Sequence, residues 1–265
     1  LNRLSFFSFV CHLRKLNLPF DKGSKIIGPR LLHGTQWGII CPIHTPDGGN
    51  VGLHKHFSIM THVTEGESRA YMIPILKNME MLLIEECNHF ILSHLTKVML
   101  NGAWIGMINE PDNKIEELKL LRRTGKIGLF TSLHWNISRK EIIILTDAGR
   151  PCHPMFYMYK NKPSWTHTSI DDSTWNSLLQ DEKNKEATLE YIDTQEAEGI
   201  MISHDLEKAT HMEIHPSVIL GIMANQIIFP ENNPFPRDAF SCGQSKQGVS
   251  MYHSNFQNRI DKSSL

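Results

Sequence analysis

Hydrophobic and polar positions change their spacing several times along the chain, and each change marks a different kind of element. Residues 1–62 hold few regular apolar runs. The stretches NLPFDKGSKIIGPR and CPIHTPDGGNVG are dense in Gly, Pro, Asp and Asn, which set turns and allow positive φ. That composition predicts a loop-rich region whose irregular backbone serves a surface contact. From Tyr71 to Leu100 the apolar residues of YMIPILKNMEMLLIEECNHFILSHLTKVML fall at mixed spacing, predicting a strand followed by a helix, with Pro74 restricting the start. KVMLNGAWIGMI reads as a hairpin, because Asn101-Gly102 is a strong short turn between apolar runs. A helix is predicted over 111–124: Pro111 and Asp112 stand at its start, Ile115, Leu118 and Leu121 share a face, and Gly125 can end it. EIIILTDAGRPCHPMF then gives a buried strand, a turn at Asp147 to Gly149, and a second strand.

Residues 160–186 read as a polar linker with a short helix around Trp175 to Gln180. ATLEYIDTQEAEGIMIS predicts a strand, an acidic turn and another strand. PSVILGIMANQII is apolar nearly throughout and is expected to form a buried helix or a helix-strand junction. The pattern as a whole predicts a mixed α+β fold, and it contains no internal repeat or low-complexity tract.

Composition adds that the chain can fold. It has 265 residues, 40% hydrophobic and 21% charged, enough for one large core or two smaller ones. The formal net charge of -1 hides a basic end: residues 1–62 carry Arg3, Arg14, Lys15, Lys22, Lys25, Arg30 and Lys55 against Asp21 and Asp47. The five cysteines, Cys11, Cys41, Cys87, Cys152 and Cys242, are scattered and form no CxxC pair, pointing to a reducing, intracellular setting. The apolar start LSFFSFV is broken by Cys11, His12, Arg14 and Lys15 before it reaches the length of a signal sequence, and no apolar run is long enough to span a bilayer. The chain begins with Leu and ends in mid-pattern, so it is expected to be a piece of something longer.

Fifteen histidines raise the question of a metal. His54 and His56 alternate as on a strand, and HMEIHP would point His211, Glu213 and His215 to one strand face. One alternative is therefore a metal-dependent, cupin-like β-barrel enzyme using His54, His56, His211 and His215, although the glutamate of a cupin motif is misplaced. Half-buried histidines hydrogen-bonded to backbone are the competing account, and no metal site is assigned. There is no GxSxG, no P-loop and no suggestive pair of carboxylates. The acidic turn at 193–198 reads as a solvated face, and Asp147-Ala148-Gly149-Arg150 as a structural turn.

The basic segments say more. HLRKLNLPFDKGSKIIGPR sets Arg14 and Lys15, then Lys22 and Lys25, then Arg30 along a Gly- and Pro-punctuated path suited to a phosphate backbone. PFPRDAFSCGQSKQGV places Arg237, Lys246 and Gln247 in an irregular, Gly- and Ser-containing stretch, and arginine can hold a triphosphate through paired hydrogen bonds.

Six segments in order then carry a resemblance: LNRLSFFSFVCHLRKLN, GPRLLHGTQWGIICPIHTPDGGNVGL, ILTDAGRPCHPMF, LEYIDTQEAEGIMI, THMEIHPSVILGIMANQIIFPENNPFPRDAF and SKQGVSMYHSNFQNRID. Together they resemble the second-largest subunit of multisubunit DNA-directed RNA polymerases, the counterpart of bacterial beta, in its eukaryotic, archaeal and large-DNA-virus branch. The resemblance implies a fork region at 1–62, an external domain at 70–160, a linker and second external β segment at 161–210, and the start of the hybrid-binding region from 211 to 265. It implies that Arg14 approaches RNA, Lys22 and Lys25 face downstream DNA, Arg30 supports the active centre, and Asn50, Lys246 and Gln247 contact RNA or the hybrid. Arg237 matches the arginine that binds the incoming nucleotide's phosphates. The implied partners are the largest subunit and other polymerase subunits, DNA template, nascent RNA and NTP, with no membrane. The implied cofactor is Mg2+, bound mainly by the largest subunit, so this chain is expected to be inactive alone. His44 departs from a frequent glutamate and Phe240 from a frequent tyrosine. A shortened linker before HMEIHP, and an HTPDG wording similar to RNA polymerase I and some viral enzymes, point to a divergent, viral origin. A nuclear site is expected if the source is cellular, and a virus factory, virion or host cell if it is viral.

Overall fold

The computed structural model describes residues 1, 3–20, 23, 26–88, 92, 94–159, 162–167, 174–179, 186–203 and 208–248. In chain order its elements begin with helix α1 (Phe6–Leu13), strands β1 (Lys15–Asn17), β2 (His54–His56) and β3 (His62–Val63), and helix α2 (Met72–Asn78). Strands β4 (Leu82–Leu83), β5 (Thr96–Leu100) and β6 (Ala103–Ile108) lead into helix α3 (Pro111–Arg123). Strands β7 (Ser132–Asn136), β8 (Glu141–Leu145), β9 (Pro151–Tyr159) and β10 (Lys162–Pro163) follow, then helix α4 (Trp175–Leu179), strands β11 (Leu189–Asp193) and β12 (His211–Met212), and helix α5 (Phe235–Ser245). The fold is mixed α+β with open sheets and no barrel. Two compact units divide it, one of Leu1–Ile59 with the chain from Ser217 onward, the other of Met60–Pro216.

In the second unit, the largest sheet runs β4-β6-β5-β8-β7, with β5 and β8 parallel and the other pairs antiparallel. The β5-β6 hairpin turns on Asn101 and Gly102, both at positive φ (49° and 78°), the conformation an Asn-Gly turn supplies at least cost. Helix α3 buries Ile115 and Leu118, Leu121 packs beside them, and Gly125 follows at φ 72°. The core they enter is apolar: Met72, Leu76, Val98, Leu100, Ile142 and Ile144 are all at most 1% exposed. The expected order of strand then helix before this sheet is reversed, with α2 first and the short β4 after it. Pro74 is the third residue of α2, where the backbone N–H has no helical partner to lose, and Met72 and Leu76 lie one turn apart on the buried face.

The other sheet of this unit gathers around β9, which pairs with β10, β11, β12 and β3. Here two carboxylates of the acidic turn, Asp193 and Glu196, prove to be buried, while Glu198 stays exposed as a solvated face would. Asp193 and Glu196 are each 3% exposed because cations from distant parts of the chain close over them. Arg122 Nη1 donates to Glu196 Oε2 at 2.8 Å and to the Thr131 carbonyl at 2.7 Å, while Nη2 donates to Glu190 Oε2 at 2.9 Å. Arg123 adds a second cation on Glu190 and lies over the Tyr157 ring, 3.8 Å from its centroid. Arg150 of the Asp147–Arg150 turn donates to Asp193 Oδ2 at 2.6 Å and to the carbonyls of Phe130 and Asp147. Burial opposes the charge on Glu190, but Arg122, the His211 hydrogen bond and Arg123 outweigh it and hold its pKa well below the usual carboxylate value.

Two further expectations change. Of the strands around the acidic turn, β11 forms, and among the described residues of the second segment Ile202 makes a bridge to His211 in place of a strand. PSVILGIMANQII forms two short 3-10 turns, Pro216–Ile219 and Ala224–Gln226, not a helix. A side chain at Gly221 would lie 3.2 Å from both Cys41 Cβ and the Phe57 carbonyl, and the Asn225 amide occupies the carbonyls of Leu220 and Gly221 that a helix would use.

Candidate nucleic-acid interface

Every sequence-singled basic or polar site residue that the structure describes belongs to the first unit; Lys22 and Lys25 lie outside the described residues. Helix α1 starts at Ser5, whose hydroxyl oxygen accepts from the Ser8 N–H at 3.1 Å. Its buried Cys11 packs with Cys41, Met223, Ala224 and Cys242, which anchors α1 to α5. The Ser5 hydroxyl also donates to the Lys246 carbonyl at 2.5 Å, joining the start of α1 to the end of α5. Arg14 closes α1, and its Nη2 donates to the Ser58 carbonyl at 2.5 Å and the Ile59 carbonyl at 3.3 Å. Half of its work is therefore internal: it fastens the backbone that follows β2. Burial lowers the Arg14 pKa from its ordinary value.

The β1-β2 ladder decides which neighbours matter. Lys15 stands opposite His56, and Lys55 opposite Leu16, so alternation sends the two lysines to opposite faces. Lys15 lies within electrostatic reach of Lys246, and burial followed by that like charge lowers its pKa. The sequence places Lys15 beside Arg14 on the basic path, but the influence of Lys246 on it comes from a residue far away in sequence. Among the described residues no carboxylate lies within ion-pairing distance of Lys15, Lys55, Arg237 or Lys246.

Between the strands of this ladder the chain makes a loop that carries Arg30 and Asn50. Arg30 Nη1 donates to the carbonyls of Gly49 at 2.8 Å and Val51 at 2.9 Å. Gly52 has φ 72°, and a Cβ there would fall 2.4 Å from the Arg30 carbonyl, so only glycine lets the two backbones meet. Thr45 braces the same turn, its hydroxyl donating to the His54 carbonyl and accepting from the Gly52 N–H. Asn50 ends a 3-10 turn, Gly48–Asn50, and is half-buried.

His44 and His56 close this loop at its base. Their rings stack with centroids 3.5 Å apart and planes 2° from parallel, and His56 Nδ1 lies 3.1 Å from the His44 carbonyl. Burial, then each neighbouring positive charge, pulls His44 down to about 3 and His56 to about 4. Both imidazoles are thus neutral near pH 7. His44 Nε2 is buried with no hydrogen-bond partner.

Arg237 is exposed on the first turn of α5, and Phe240 is exposed one turn later. Lys246 caps the helix and exposed Gln247 follows in a turn. Arg237 and Lys246 stand nine positions apart along α5, a rise of about 13 Å, and so lie at opposite ends of the helix. The structure thus sets Lys15 within electrostatic reach of Lys246 and Arg30 beside the backbone of Asn50, with Arg237 at the other end of α5.

The histidines do not form a metal centre. His54 and His56 belong to the first unit and His211 and His215 to the second; His211 faces Glu190 at 3.4 Å, and Glu213 faces His153 at 3.2 Å. Among the described residues no group of three or more His, Cys, Asp or Glu is placed to hold a metal, and with open sheets the cupin-like alternative is withdrawn. No described helix is long and apolar enough to cross a membrane.

Comparison with known proteins gives the same direction as the geometry. Residues 1–63 match the family model described as RNA polymerase Rpb2, domain 3, and residues 98–159 match RNA polymerase Rpb2, domain 4. The chain is 36% identical over 275 residues to DNA-directed RNA polymerase II subunit RPB2 of Encephalitozoon cuniculi, covering 98% of the chain and 24% of that protein. It is 33% identical over 285 residues to DNA-directed RNA polymerase II subunit 2 of Arabidopsis thaliana, again over 98% of the chain and 24% of the relative. DNA-directed RNA polymerase III subunit RPC2 of Drosophila melanogaster is 31% identical over 267 residues, with 98% and 24% covered. The chain therefore spans about a quarter of the length of the curated relatives it matches.

Proposed function

The chain belongs to the Rpb2 family of RNA polymerase subunits, and from that premise we propose that its first unit forms part of the surface with which a DNA-directed RNA polymerase grips its nucleic acids. The observation that supports it is that Lys15 and Lys246 lie within electrostatic reach of one another and have no described carboxylate within ion-pairing distance. Positive charges left without a counter-ion are suited to a phosphate. Arg14, Asn50, Lys246 and Gln247 contact RNA or the hybrid in this reading, Lys22 and Lys25 contact downstream DNA, and Arg30 supports the active centre through the loop it fastens. Arg237 takes the phosphates of the incoming NTP. Contributions of this kind lower the barrier by positioning and by placing fixed positive charge where negative charge concentrates. The magnesium belongs to the largest subunit, which with other polymerase subunits is the chain's protein partner. The setting is nuclear, as for a eukaryotic polymerase II or III. Residues 1–62 serve as the fork, 70–160 and 161–210 as external segments, and 211–265 as the start of the hybrid-binding region.

Salt dependence tests this reading. In the assembled polymerase, Lys246→Ala is expected to weaken binding of an RNA-DNA hybrid scaffold regardless of sequence. The slope of log affinity against log salt should fall by about 0.7 to 0.9, one phosphate contact. An unchanged slope would remove Lys246 from the interface.

A further inference from the structure

The geometry points to His44 as a positioning residue: its ring, stacked on His56, clasps the loop 45–53 shut and so fixes the backbone that Arg30 grips. The two ends of the loop meet at this stack, with centroids 3.5 Å apart and planes within 2°, reinforced by His56 Nδ1 at 3.1 Å from the His44 carbonyl. Inside the loop a set of hydrogen bonds lies between the two residues that the stack joins. Thr45 donates to the His54 carbonyl, the Gly52 N–H donates back to Thr45, and Gly49 and Val51 present their carbonyls to Arg30. The clasp uses the flat shape of the ring and not its polarity: Nε2 of His44 is buried without a hydrogen-bond partner, and both imidazoles stay neutral near pH 7. An apolar ring should therefore replace His44, whereas an apolar side chain without a ring should not.

The consequence for RNA synthesis rests on the reading of this loop as part of the nucleic-acid interface; the clasp itself does not. The experiment uses the polymerase assembled with the full-length subunit carrying His44→Ala, His44→Leu or His44→Phe. Amide hydrogen exchange over 45–53 is measured together with the rate of single-nucleotide addition and the KM for NTP. Loss of the ring contact is expected to speed exchange in the loop by about tenfold in the Ala and Leu variants. Nucleotide addition should slow in the same two, with KM for NTP little changed, because the loop holds RNA-side groups and not the triphosphate. His44→Phe should restore both exchange and rate. If Phe behaves like Leu, or if Ala and Leu leave exchange unchanged, the clasp is overturned. Leu is included because it fills the space that Ala empties, so a folding defect of Ala alone leaves the comparison of Leu with Phe decisive. Faster exchange with an unaltered addition rate would uphold the clasp and overturn the nucleic-acid role of the loop.

Discussion

His44 and His56 show how one residue's surroundings reverse the expectation drawn from its type. In isolation both would titrate near neutrality, and His56 is a candidate ligand; stacked and buried, they are a neutral pair with pKa values of about 3 and 4. An unfolded histidine takes up a proton near pH 6.5, so between that value and about 4 the unfolded chain binds protons that the folded pair refuses. Stability should be full above about pH 7 and decline as pH falls through this window. Thermal unfolding between pH 7 and 4 will check this, with His44→Phe flattening the decline. Arg122 makes the complementary case. Its guanidinium is 1% exposed and joins Glu190 to Glu196, so Arg122→Met takes the buried cation from Glu196 and leaves Glu190 to Arg123 and His211. Breaking such a network from one side costs about 3–5 kcal/mol. Denaturant unfolding should record that loss, and it should shrink at low pH as the carboxylates become protonated.

At the scale of elements, local chemistry was legible wherever the partners were close in sequence. Asn101-Gly102 announces the β5-β6 hairpin, and the spacing of Ile115, Leu118 and Leu121 announces α3, because turn dihedrals and helical period are local properties. The order of α2 and β4 was misread because mixed apolar spacing suits either element, and Pro74 is tolerated in a first helical turn. Gly52 is a sharper case. Its φ of 72° and its contact with the Arg30 carbonyl both exclude a Cβ, so Gly52→Ala must displace the loop. The expected cost is about 1–3 kcal/mol. Faster exchange over 45–53, with the β1-β2 amides still protected, is the measurement that separates local opening from global unfolding.

For the whole molecule, family membership came from the order of motifs, while placement of the site residues came from the fold. Arg237 stands on the first turn of α5, at the opposite end from Lys246, and its proposed task on the nucleotide is tested separately. In the assembled polymerase Arg237→Ala should raise the KM for NTP about tenfold or more by removing a charge-assisted phosphate contact of about 1.5–3 kcal/mol. Steady-state kinetics at saturating template will test this, since an unchanged KM would exclude the contact. The sequence by itself determined the mixed α+β class, the hairpin, helix α3, the basic end and the ordered motifs of an Rpb2-like chain. Only the tertiary structure decided that Asp193 and Glu196 of the acidic turn join a buried ion-pair centre, that Lys15 comes within electrostatic reach of Lys246, and that His44 meets His56. The reason is physical: dihedral preference and amphipathic period act over a few residues, whereas burial and charge pairing join Arg122 to Glu196 across 74 positions.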